Sequence, residues 1–485
     1  MKHLKRHLVV WVLMCVVLLA ELVGGNTKHV IAKSTTKEPT YTIATDVTFP
    51  PFVFTNNHNQ LTGIDIDLMK AVAREEGFKV RFKPIGFNAA IQAVTSGQVN
   101  GMIAGMTITN ERRERFDFSN PYYSSGIVMA VNPKSSVRRL SQLRGKKVAV
   151  KTGTAGANYA NSIKQKYGFT VVTFDDSDNV YNDVKTGNSV ACFDDDAVLK
   201  YGIKTGLGLK IVTKPTAIGN YGFAVKKGTN QQLMTKFNAG LTKLKRNGQY
   251  KKIINKYTKN AAVKDAASSH TFWGLIKQNS GAFLSGLTET LKLTLVAIIC
   301  ATIFGVIVGL CGVVPNRVLN MLAAAIVYIF RGLPLLVLAL FIYNGIPSLI
   351  GMKIPAFIAG IITLTLNEGA YIAAFVKGGI QAVDRGQMEA ARSLGLPFGI
   401  AMRKVVLPQG IRMMIPSFIN QFIITLKDTS ILSIIGIVEL TQTGKIIIAR
   451  NLEGFKVWLI VAVMYLVLIT VLTLLSKWIE RKLEV

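Results

Sequence analysis

Long apolar segments in the second part of the chain limit what it can fold into. Five of them lie between residues 281 and 485, each close to the roughly 20 residues that cross a bilayer. Residues 41–260 instead mix short apolar runs with polar residues. The sequence therefore predicts a soluble domain at 41–260, a linker at 261–280 and an all-α membrane domain at 281–485. Its five predicted transmembrane helices are Leu291–Val313, Met321–Ile342, Ala356–Val376, Ile415–Val438 and Val457–Leu475.

The N-terminus has the pattern of a secretory signal. Lys2, Lys5 and Arg6 precede an apolar run at Leu8–Ala20, which Glu21 ends before it reaches the length of a full span. We expect a signal peptide at 1–25, with a retained membrane anchor as the alternative, and a polar linker at 26–40.

The net charge of +30 arises from 57 basic and 27 acidic residues. The basic residues are scattered singly, without dense runs or interleaved aromatic residues, so we expect no nucleic-acid partner. An extracellular domain above anionic membrane lipid accounts better for the charge. Only Cys192 of the four cysteines falls in the soluble domain, so we expect no disulfide there.

Short β-branched runs alternate with helical patterns such as Ile64–Glu76 and Ala89–Ser96 in residues 41–260. This alternation predicts an α/β fold with largely parallel sheets, in which ligands bind beyond the carboxyl ends of the strands. Polar residues stand at several of those ends. The predicted strands are Thr42–Asp46, Val80–Ile85, Met102–Met106, Ile127–Val131, Lys147–Lys151, Val171–Phe174, Val190–Asp194 and Tyr221–Val225.

Several runs in this domain resemble the polar amino-acid solute-binding proteins of ABC importers, and the glutamine-binding type in particular. They are ATDVTFPPFVF (44–54), GIDIDLMKAVA (63–73), GMTITNERRERFDFSNPYYSSG (105–126), LRGKKVAVKTGTAG (143–156) and ACFDDDAVL (191–199). The resemblance implies a two-lobe α/β fold like that of periplasmic binding proteins. It also implies two crossing strands, near Gly126–Asn132 and Asn220–Val225.

The residues that match the family's site suit the backbone groups of a free amino acid. The guanidinium of Arg112 can hold the carboxylate through a bidentate fork, and the hydroxyl of Thr107 can donate beside it. Asp195 and the backbone carbonyl of Gly105 can accept from the ammonium group.

The remaining matched residues face the ligand side chain. Phe49 and Phe87 can enclose its aliphatic stem. Asp46 accepts and Lys151 donates, which suits the carboxamide of L-glutamine, whereas two acids would suit arginine and two bases glutamate. One departure from the enteric glutamine-binding pattern is Asp194, which stands where that pattern has histidine. We expect no bound metal, because consecutive acids point in different directions.

The strongest motif lies in the membrane domain, at GQMEAARSLGLPFGIAMRKVVLPQGIR (386–412). It resembles the cytoplasmic loop through which ABC-importer permeases dock onto their ATPase. The resemblance assigns ATPase coupling to Glu389, Ala390, Ala391 and Gly395. RGLPLLVLALF (331–341) and KDTSILSIIGIVEL (427–440) match the polar amino-acid permeases as well, whereas Ala374 stands where that family usually has glutamate.

Charges follow the positive-inside rule in the long loop at 377–412, which we therefore place in the cytoplasm. Lys445, Arg450 and Lys456 lie in the last external loop and contradict the rule. Lys427 and Asp428 lie inside an apolar segment, where charges usually pair or line a pathway.

Pro334 should kink the second predicted span, because proline removes a backbone donor and clashes with the preceding turn.

The chain contains no G-x-x-x-x-G-K-[ST] phosphate loop, so we expect a transporter subunit without enzymatic activity or cofactor, driven by a separate ATPase. One set of five spans is half of an importer, so we expect a homodimer with two ATPase copies in the cell membrane, its binding domain outside. A heterodimer with a second permease is the alternative. A ligand-gated channel or a sensor is the competing class, but the binding domain is continuous, no T-V-G-Y-G filter occurs and the tail after the last span is short.

Overall fold

A computed structural model of the chain describes residues 38–56, 58–259, 271–451 and 453–482. The predicted signal peptide, most of the predicted linker at 26–40 and residues 261–270 of the second predicted linker lie outside the described residues. The described residues cover the soluble domain except for residues 57 and 260, and the membrane domain except for residues 452 and 483–485.

The soluble domain alternates strands and helices, as the β-branched runs predict. Its strands are β1 (Thr40–Thr45), β2 (Phe54–Thr55), β3 (Leu61–Thr62), β4 (Lys79–Pro84), β5 (Gly101–Met102), β6 (Phe116–Phe118), β7 (Tyr123–Val131), β8 (Lys147–Lys151), β9 (Thr170–Phe174), β10 (Ala191–Asp195), β11 (Lys210–Ile211), β12 (Thr216–Tyr221) and β13 (Ala224–Lys226). Its helices are α1 (Ile64–Glu75), α2 (Phe87–Thr95), α3 (Asn110–Arg113), α4 (Ala155–Tyr167), α5 (Ser177–Lys185), α6 (Asp196–Lys204), α7 (Gln231–Arg246) and α8 (Gln249–Thr258).

The strands form two lobes, each built around its own sheet. Lobe 1 contains a sheet in the order β4-β1-β5-β13-β6, and lobe 2 contains a sheet in the order β11-β7-β10-β8-β9. β7 carries the chain from lobe 1 to lobe 2 and β12 returns beside it, with Tyr123 opposite Tyr221 and Ile127 opposite Thr216. The predicted two-lobe α/β fold with two crossing strands is confirmed.

The predicted parallel arrangement is only half right. β1 runs parallel to β4 and β5, and β8 runs parallel to β9 and β10. β13 and β7 run antiparallel to their neighbours in the two sheets, because each joins its sheet at a crossing between the lobes.

Two predicted strands were too long. The strand predicted at Met102–Met106 ends at Met102, and the chain then turns at Gly105, whose φ is +57°. The strand predicted at Tyr221–Val225 divides into the end of β12 and the start of β13.

The membrane domain is helical throughout most of its described residues. Its α-helices are α9 (Phe272–Cys311), α10 (Arg317–Gly332), α11 (Leu335–Leu340), α12 (Ile346–Ile350), α13 (Ala356–Gln381), α14 (Arg385–Ser393), α15 (Phe398–Ala401), α16 (Leu407–Asp428), α17 (Leu440–Asn451) and α18 (Gly454–Lys482). π-Helical turns at Phe341–Gly345 and Met402–Val406 join α11 to α12 and α15 to α16, and a 3₁₀ segment at Thr429–Ile435 follows α16.

Among the described residues, four helical stretches are long and apolar enough to cross a membrane, and a fifth forms if the bent pair α10 and α11–α12 counts as one span. That pair bends by 100° at Leu333–Pro334, where Leu333 adopts an extended conformation. A proline disfavours the helical region for the residue before it, which explains the break and confirms the predicted kink. α9 begins at Phe272, within the linker predicted at 261–280.

Glycines let α9 pack closely against α13. A β-carbon at Gly305 would lie 2.6 Å from the carbonyl oxygen of Gly369, and one at Gly309 would lie 2.8 Å from that of Ala373. Such small-residue contacts bring helix backbones together where lipid provides no hydrophobic driving force between helices. The opposite side of α9 exposes large apolar side chains at a spacing of four residues: Leu295, Ile299, Ile303 and Ile307.

Candidate functional site

The two lobes meet at a narrow cleft with a cavity of about 10 Å³. All eight residues that the sequence predicts as ligand contacts line it, and three further residues join them. The predicted residues are Asp46, Phe49, Phe87, Gly105, Thr107, Arg112, Lys151 and Asp195, and the additional ones are Ala104, Thr154 and Ala155. Their assignment as ligand contacts stays a prediction.

An ion pair joins the lobes at one end of the cleft. The Nζ of Lys151, at the end of β8, lies 2.5 Å from Oδ2 of Asp46, which follows β1. Both side chains are buried, with exposures of 3% and 1%. Thr48 donates to Oδ1 of Asp46 from its backbone N–H at 3.0 Å and from its hydroxyl at 2.7 Å. Burial acts to lower the pKa of Lys151, but the carboxylates of Asp46, Asp176 and Asp194 together outweigh it and raise that pKa above its usual value.

A second link between the lobes is the guanidinium of Arg112. Its two Nη atoms donate to the carbonyl oxygens of Thr107 in lobe 1, at 2.6 Å, and Gly153 in lobe 2, at 2.8 Å. Its central carbon lies 5.5 Å from the ring centre of Phe87, a cation–π distance. Burial lowers the pKa of Arg112 while Glu111 and Asp195 oppose the shift, and an arginine retains its charge at neutral pH in any case.

The N-terminus of α4 also faces the cleft through Thr154 and Ala155. Thr154 caps this 13-residue helix: its hydroxyl oxygen accepts from the backbone N–H of Ala157 at 3.3 Å. Unpaired N–H groups and the helix dipole make such a terminus attractive to anions. Sequence reasoning missed both residues, although a threonine shortly after a strand and before a run of small residues is a signal for a helix start.

Buried acids flank the cleft in lobe 2. Asp194 accepts from the hydroxyl of Tyr181 at 2.7 Å and from the backbone N–H of Asp195 at 2.8 Å. Burial, together with the neighbouring Asp194, raises the pKa of Asp195. Asp196 instead pairs with Lys200 at 2.8 Å near the surface, so the three consecutive acids do point to different environments.

The buried carboxyl of Asp65 holds Gly105 in position, and sequence reasoning missed it. Oδ2 of Asp65 accepts from the backbone N–H of Gly105 at 2.7 Å and from the hydroxyl of Tyr122 at 2.9 Å. Asp65 is fully buried, and this burial raises its pKa to about 7. Gly105 cannot be replaced easily, because a β-carbon there would lie 2.3 Å from the ring of Phe49. The available signal was an acid at the apolar start of α1.

The predicted coupling residues lie on and after α14, away from the cleft. Glu389 and Ala390 are exposed, Ala391 is buried, and Gly395 has a φ of +85° with open space around it. Leu394, the residue just before Gly395, is 83% exposed.

A polar cluster lies inside the membrane domain. Glu368 is fully buried in α13 and accepts a hydrogen bond from Gln421 of α16, and its carboxyl interacts with that of Asp428. Arg331 lines the same cavity of about 440 Å³. Asp428 thus has a partner that the sequence did not reveal, whereas Lys427 is exposed. Ala374 lines a separate cavity of about 620 Å³ between α9, α10 and α13.

Comparison with protein families matches both domains. Residues 41–260 match the bacterial extracellular solute-binding proteins, family 3, and residues 301–485 match the inner membrane component of binding-protein-dependent transport systems.

Individual relatives match one domain each. A putative glutamine transport system permease protein GlnP of Rickettsia bellii is 37% identical over 42% of this chain and 93% of its own length. The arginine transport system permease protein ArtQ of Bacillus subtilis is 34% identical over 41% of this chain and 92% of its own length. The crystal structure of substrate-binding domain 2 of Lactococcus lactis GlnP, in an open conformation, is 44% identical over 47% of this chain and 99% of that one, with a TM-score of 0.37.

Proposed function

Because the chain belongs to the family of amino-acid ABC-importer permeases and carries its own family 3 solute-binding domain, we propose that it captures L-glutamine outside the cell and moves it through a homodimeric pore. Two copies of a separate ATPase drive transport in this proposal. The observation that supports it best is the distribution of charge along the cleft, which matches the three polar groups of a glutamine molecule.

One end of the cleft suits the α-carboxylate of the ligand. Arg112 and the N-terminus of α4 approach it from opposite lobes, and both favour an anion. Arg112 has five N–H donors, so a carboxylate can be held alongside its two backbone contacts. The hydroxyl of Thr107 adds a donor on the same side.

The middle of the cleft suits the ammonium group and the aliphatic stem. Asp195 and the carbonyl of Gly105 accept from the ammonium, whose positive charge favours the ionised form of Asp195. The rings of Phe49 and Phe87 enclose the methylene groups, since apolar walls contribute affinity that polar groups then orient.

The far end decides which side chain fits. Asp46 and Lys151 present one acceptor and one donor, which complements the C=O and NH₂ of a carboxamide. Arginine is the second candidate, because Asp194 lies close enough to Asp46 and Lys151 to interact electrostatically with both. The guanidinium of a bound arginine could then pair with Asp46 and Asp194 in place of Lys151.

Calorimetry of the purified chain with the twenty amino acids tests the ligand. Tightest binding of L-glutamine, with asparagine or glutamate weaker, supports the proposal, and tightest binding of arginine or histidine overturns the amide assignment.

Distance labels on the two lobes test closure, which in this proposal is a hinge motion at β7 and β12. An unchanged distance at saturating ligand would argue for a rigid binder.

Coupling to the ATPase rests in this proposal on the exposed Glu389 of α14 and on the exposed Leu394 just after it. Gly395 has room for a side chain but a φ that only glycine adopts easily, so Gly395→Val should distort the turn and uncouple ATP hydrolysis from uptake. Glutamine binding should not change, since Gly395 lies outside the cleft.

Native mass spectrometry gives the stoichiometry of the complex. One copy of this chain per complex, or uptake without any ATPase, would refute the homodimer driven by two ATPases.

A further inference from the structure

Lobe 2 contains a long stretch of chain without acids. Between Asp117 and Asp175 the sequence has nine lysines and arginines but no aspartate or glutamate. Lys151 lies in the cleft, and the other eight form what we call the basic face, the lysines and arginines of residues 134–166 outside the cleft. Seven of them are exposed and Lys146 is half-buried. Within the described residues, none of the eight forms an ion pair with an acid.

Backbone hydrogen bonds bring separate parts of this stretch together. The N–H of Gly145 donates to the carbonyl of Gly168 at 2.7 Å, and the N–H of Thr170 donates to the carbonyl of Lys146 at 2.9 Å. The start of β8 therefore lies beside the last turn of α4. The members of the basic face at this place are Arg144, Lys146 and Lys147 next to the start of β8, and Lys164 and Lys166 in the last turn of α4.

The remaining members lie on the loop between β7 and β8. Val137 and Leu143 of this loop are buried in the core of lobe 2 and hold the loop against the sheet. Lys134, Arg138 and Arg139 stay exposed. Residues that are scattered along the chain are thus collected at the end of lobe 2 where β8 begins, and the cleft lies at the other end of that strand.

This end of lobe 2 lies next to a membrane span. Asn132, where the loop begins, donates from its side chain to the carbonyl of Lys185 at 3.1 Å. Lys185 ends α5 and interacts with Glu453, just before α18. A β-carbon at Gly454, the first residue of α18, would lie 3.3 Å from the side-chain nitrogen of Asn182 in α5. The basic face is therefore at the end of lobe 2 that adjoins the last span.

The first turns of α18 present apolar side chains outward. Phe455 is 82% exposed, and Leu459, one turn further on, is 43% exposed. Exposed apolar side chains on a span suit lipid, and aromatic residues are enriched where a span leaves the hydrocarbon core. The start of α18 thus marks the external surface of the bilayer, with lobe 2 directly beside it.

We propose that the basic face binds the headgroups of anionic phospholipids on the external surface of the membrane. Lysine and arginine side chains attract anionic lipid when they lie within about one Debye length of it, roughly 8 Å at physiological ionic strength. The absence of acids from residues 118–174 removes the repulsion that a mixed surface would add. Because the face and the cleft lie at opposite ends of β8, lipid binding does not require an amino acid in the cleft.

Fluorescence quenching in lipid nanodiscs tests this proposal with the full-length chain, after its four cysteines are replaced by alanine. A fluorophore on Gln165→Cys, between two members of the basic face, reports its approach to lipid that carries a spin label on the headgroup. A fluorophore on Asn158→Cys is the matched control, because Asn158 is exposed near the other end of the same helix.

Replacing about a third of the phosphatidylcholine by phosphatidylglycerol should raise the quenching at residue 165 about twofold and leave that at residue 158 nearly unchanged. Salt at about 1 M should remove the rise, because it shortens the Debye length to about 3 Å.

Two charge variants locate the contact. The triple variant Arg144→Gln, Lys147→Gln and Lys166→Gln should lose most of the rise. Lys70→Gln, Arg74→Gln and Lys252→Gln remove the same charge from the exposed surface of lobe 1 and should keep it. Thermal unfolding followed by circular dichroism checks that both variants are folded, and the single variants Lys147→Gln and Lys166→Gln replace a triple variant that is not.

Quenching that does not respond to phosphatidylglycerol overturns the proposal, as does a rise that persists when the basic face is neutralised. An equal rise at both labels, or loss of the rise in the lobe 1 variant, would assign the effect to net charge and also overturn it. Millimolar inorganic phosphate, compared with sodium chloride at the same ionic strength, distinguishes the free anion from lipid. Selective loss of the rise with phosphate would show a site for free phosphate and overturn the membrane assignment.

Discussion

The two lobes of the binding domain share an α/β architecture but differ in how they are held. Lobe 1 contacts the permease through the Tyr343–Asn344 segment and through Arg450, whereas lobe 2 contacts it only beside α17 in the described residues. Lobe 1 also supplies the guanidinium of Arg112, and lobe 2 supplies Lys151 at the opposite end of the cleft. If the lobes close around a ligand as proposed, lobe 1 is the fixed part and lobe 2 the part that moves.

The largest expected effect on ligand binding comes from Arg112 of lobe 1, the proposed partner of the α-carboxylate that every amino acid shares. Arg112→Ala should abolish binding of all amino acids, because it leaves the ligand carboxylate buried without its charged partner, at a cost of about 3–5 kcal/mol. Arg113→Ala is the matched control, since Arg113 is exposed on the same short helix. Calorimetry with several amino acids is the measurement, and a loss confined to one ligand would contradict a shared carboxylate site.

The second effect concerns the stability of lobe 1. Burial raises the pKa of Asp65 from 3.8 to about 7, so between these values the folded lobe keeps a proton that the unfolded chain has lost. Stability should therefore fall as the pH rises from about 4 to 7, by on the order of 4 kcal/mol, and level off above pH 7. Asp65→Asn cannot ionise and should flatten this dependence.

Urea unfolding of residues 40–259, produced separately, measures the effect at pH values between 4 and 8. Glu75→Gln removes an exposed carboxyl from the end of the same helix and should leave the pH dependence as it is. A dependence that persists in Asp65→Asn would show that other groups cause it.

The residues of the cleft differ in whether the sequence could predict them. Arg112, Asp195 and Lys151 were identified because they match a family motif in order, and the structure brings them to one cavity. Asp65 was missed because its role depends on contacts with Gly105 and Tyr122, which are 40 and 57 residues away along the chain. Thr154 was missed because its position depends on how lobe 2 faces lobe 1.

In the membrane domain, too, sequence predicted local features but not contacts between distant segments. Apolar length predicted its long apolar helices and Pro334 predicted the bend, since both are local properties. The partner of Asp428 is Glu368 on another helix, and the partners of Lys445 and Arg450 lie in the other domain. Spacing within one segment carries no information about such contacts.

A third effect belongs to lobe 2 and should depend on the ligand. Lys151→Met removes the donor for a carboxamide and leaves Asp46 free for a cationic side chain, so arginine should gain on glutamine by about tenfold in relative affinity, or about 1.4 kcal/mol. Lys147→Met, at the exposed start of the same strand, should change neither affinity. Competition binding measures the ratio, and equal losses for all ligands would contradict a role in selectivity.

The smallest effect tests whether lobe 1 really is the fixed lobe. Burial against the permease lowers the pKa of Lys83 to about 8, although its Nζ donates to the hydroxyl of Tyr343. The docked state thus holds fewer protons than the undocked one between about pH 8 and 10.5, so docking should strengthen as the pH rises through that window. Below it both states carry the proton, so the cost of burying the lysine charge is at its largest and does not change with pH. Cysteines placed at Ser96 of lobe 1 and Asn344 of the permease, whose side-chain oxygens lie 3.5 Å apart, report docking of lobe 1 through the rate at which they form a disulfide. Lys83→Met should speed this Ser96→Cys/Asn344→Cys disulfide a few-fold at pH 7, about 1 kcal/mol, because no charge is then buried. The rate relative to the parent, taken at each pH so that thiol chemistry cancels, should fall toward one at higher pH. Lys70→Met, on the exposed surface of α1, should leave the rate unchanged, and a slower disulfide in Lys83→Met would show that the lysine–tyrosine contact outweighs the cost of burying the charge.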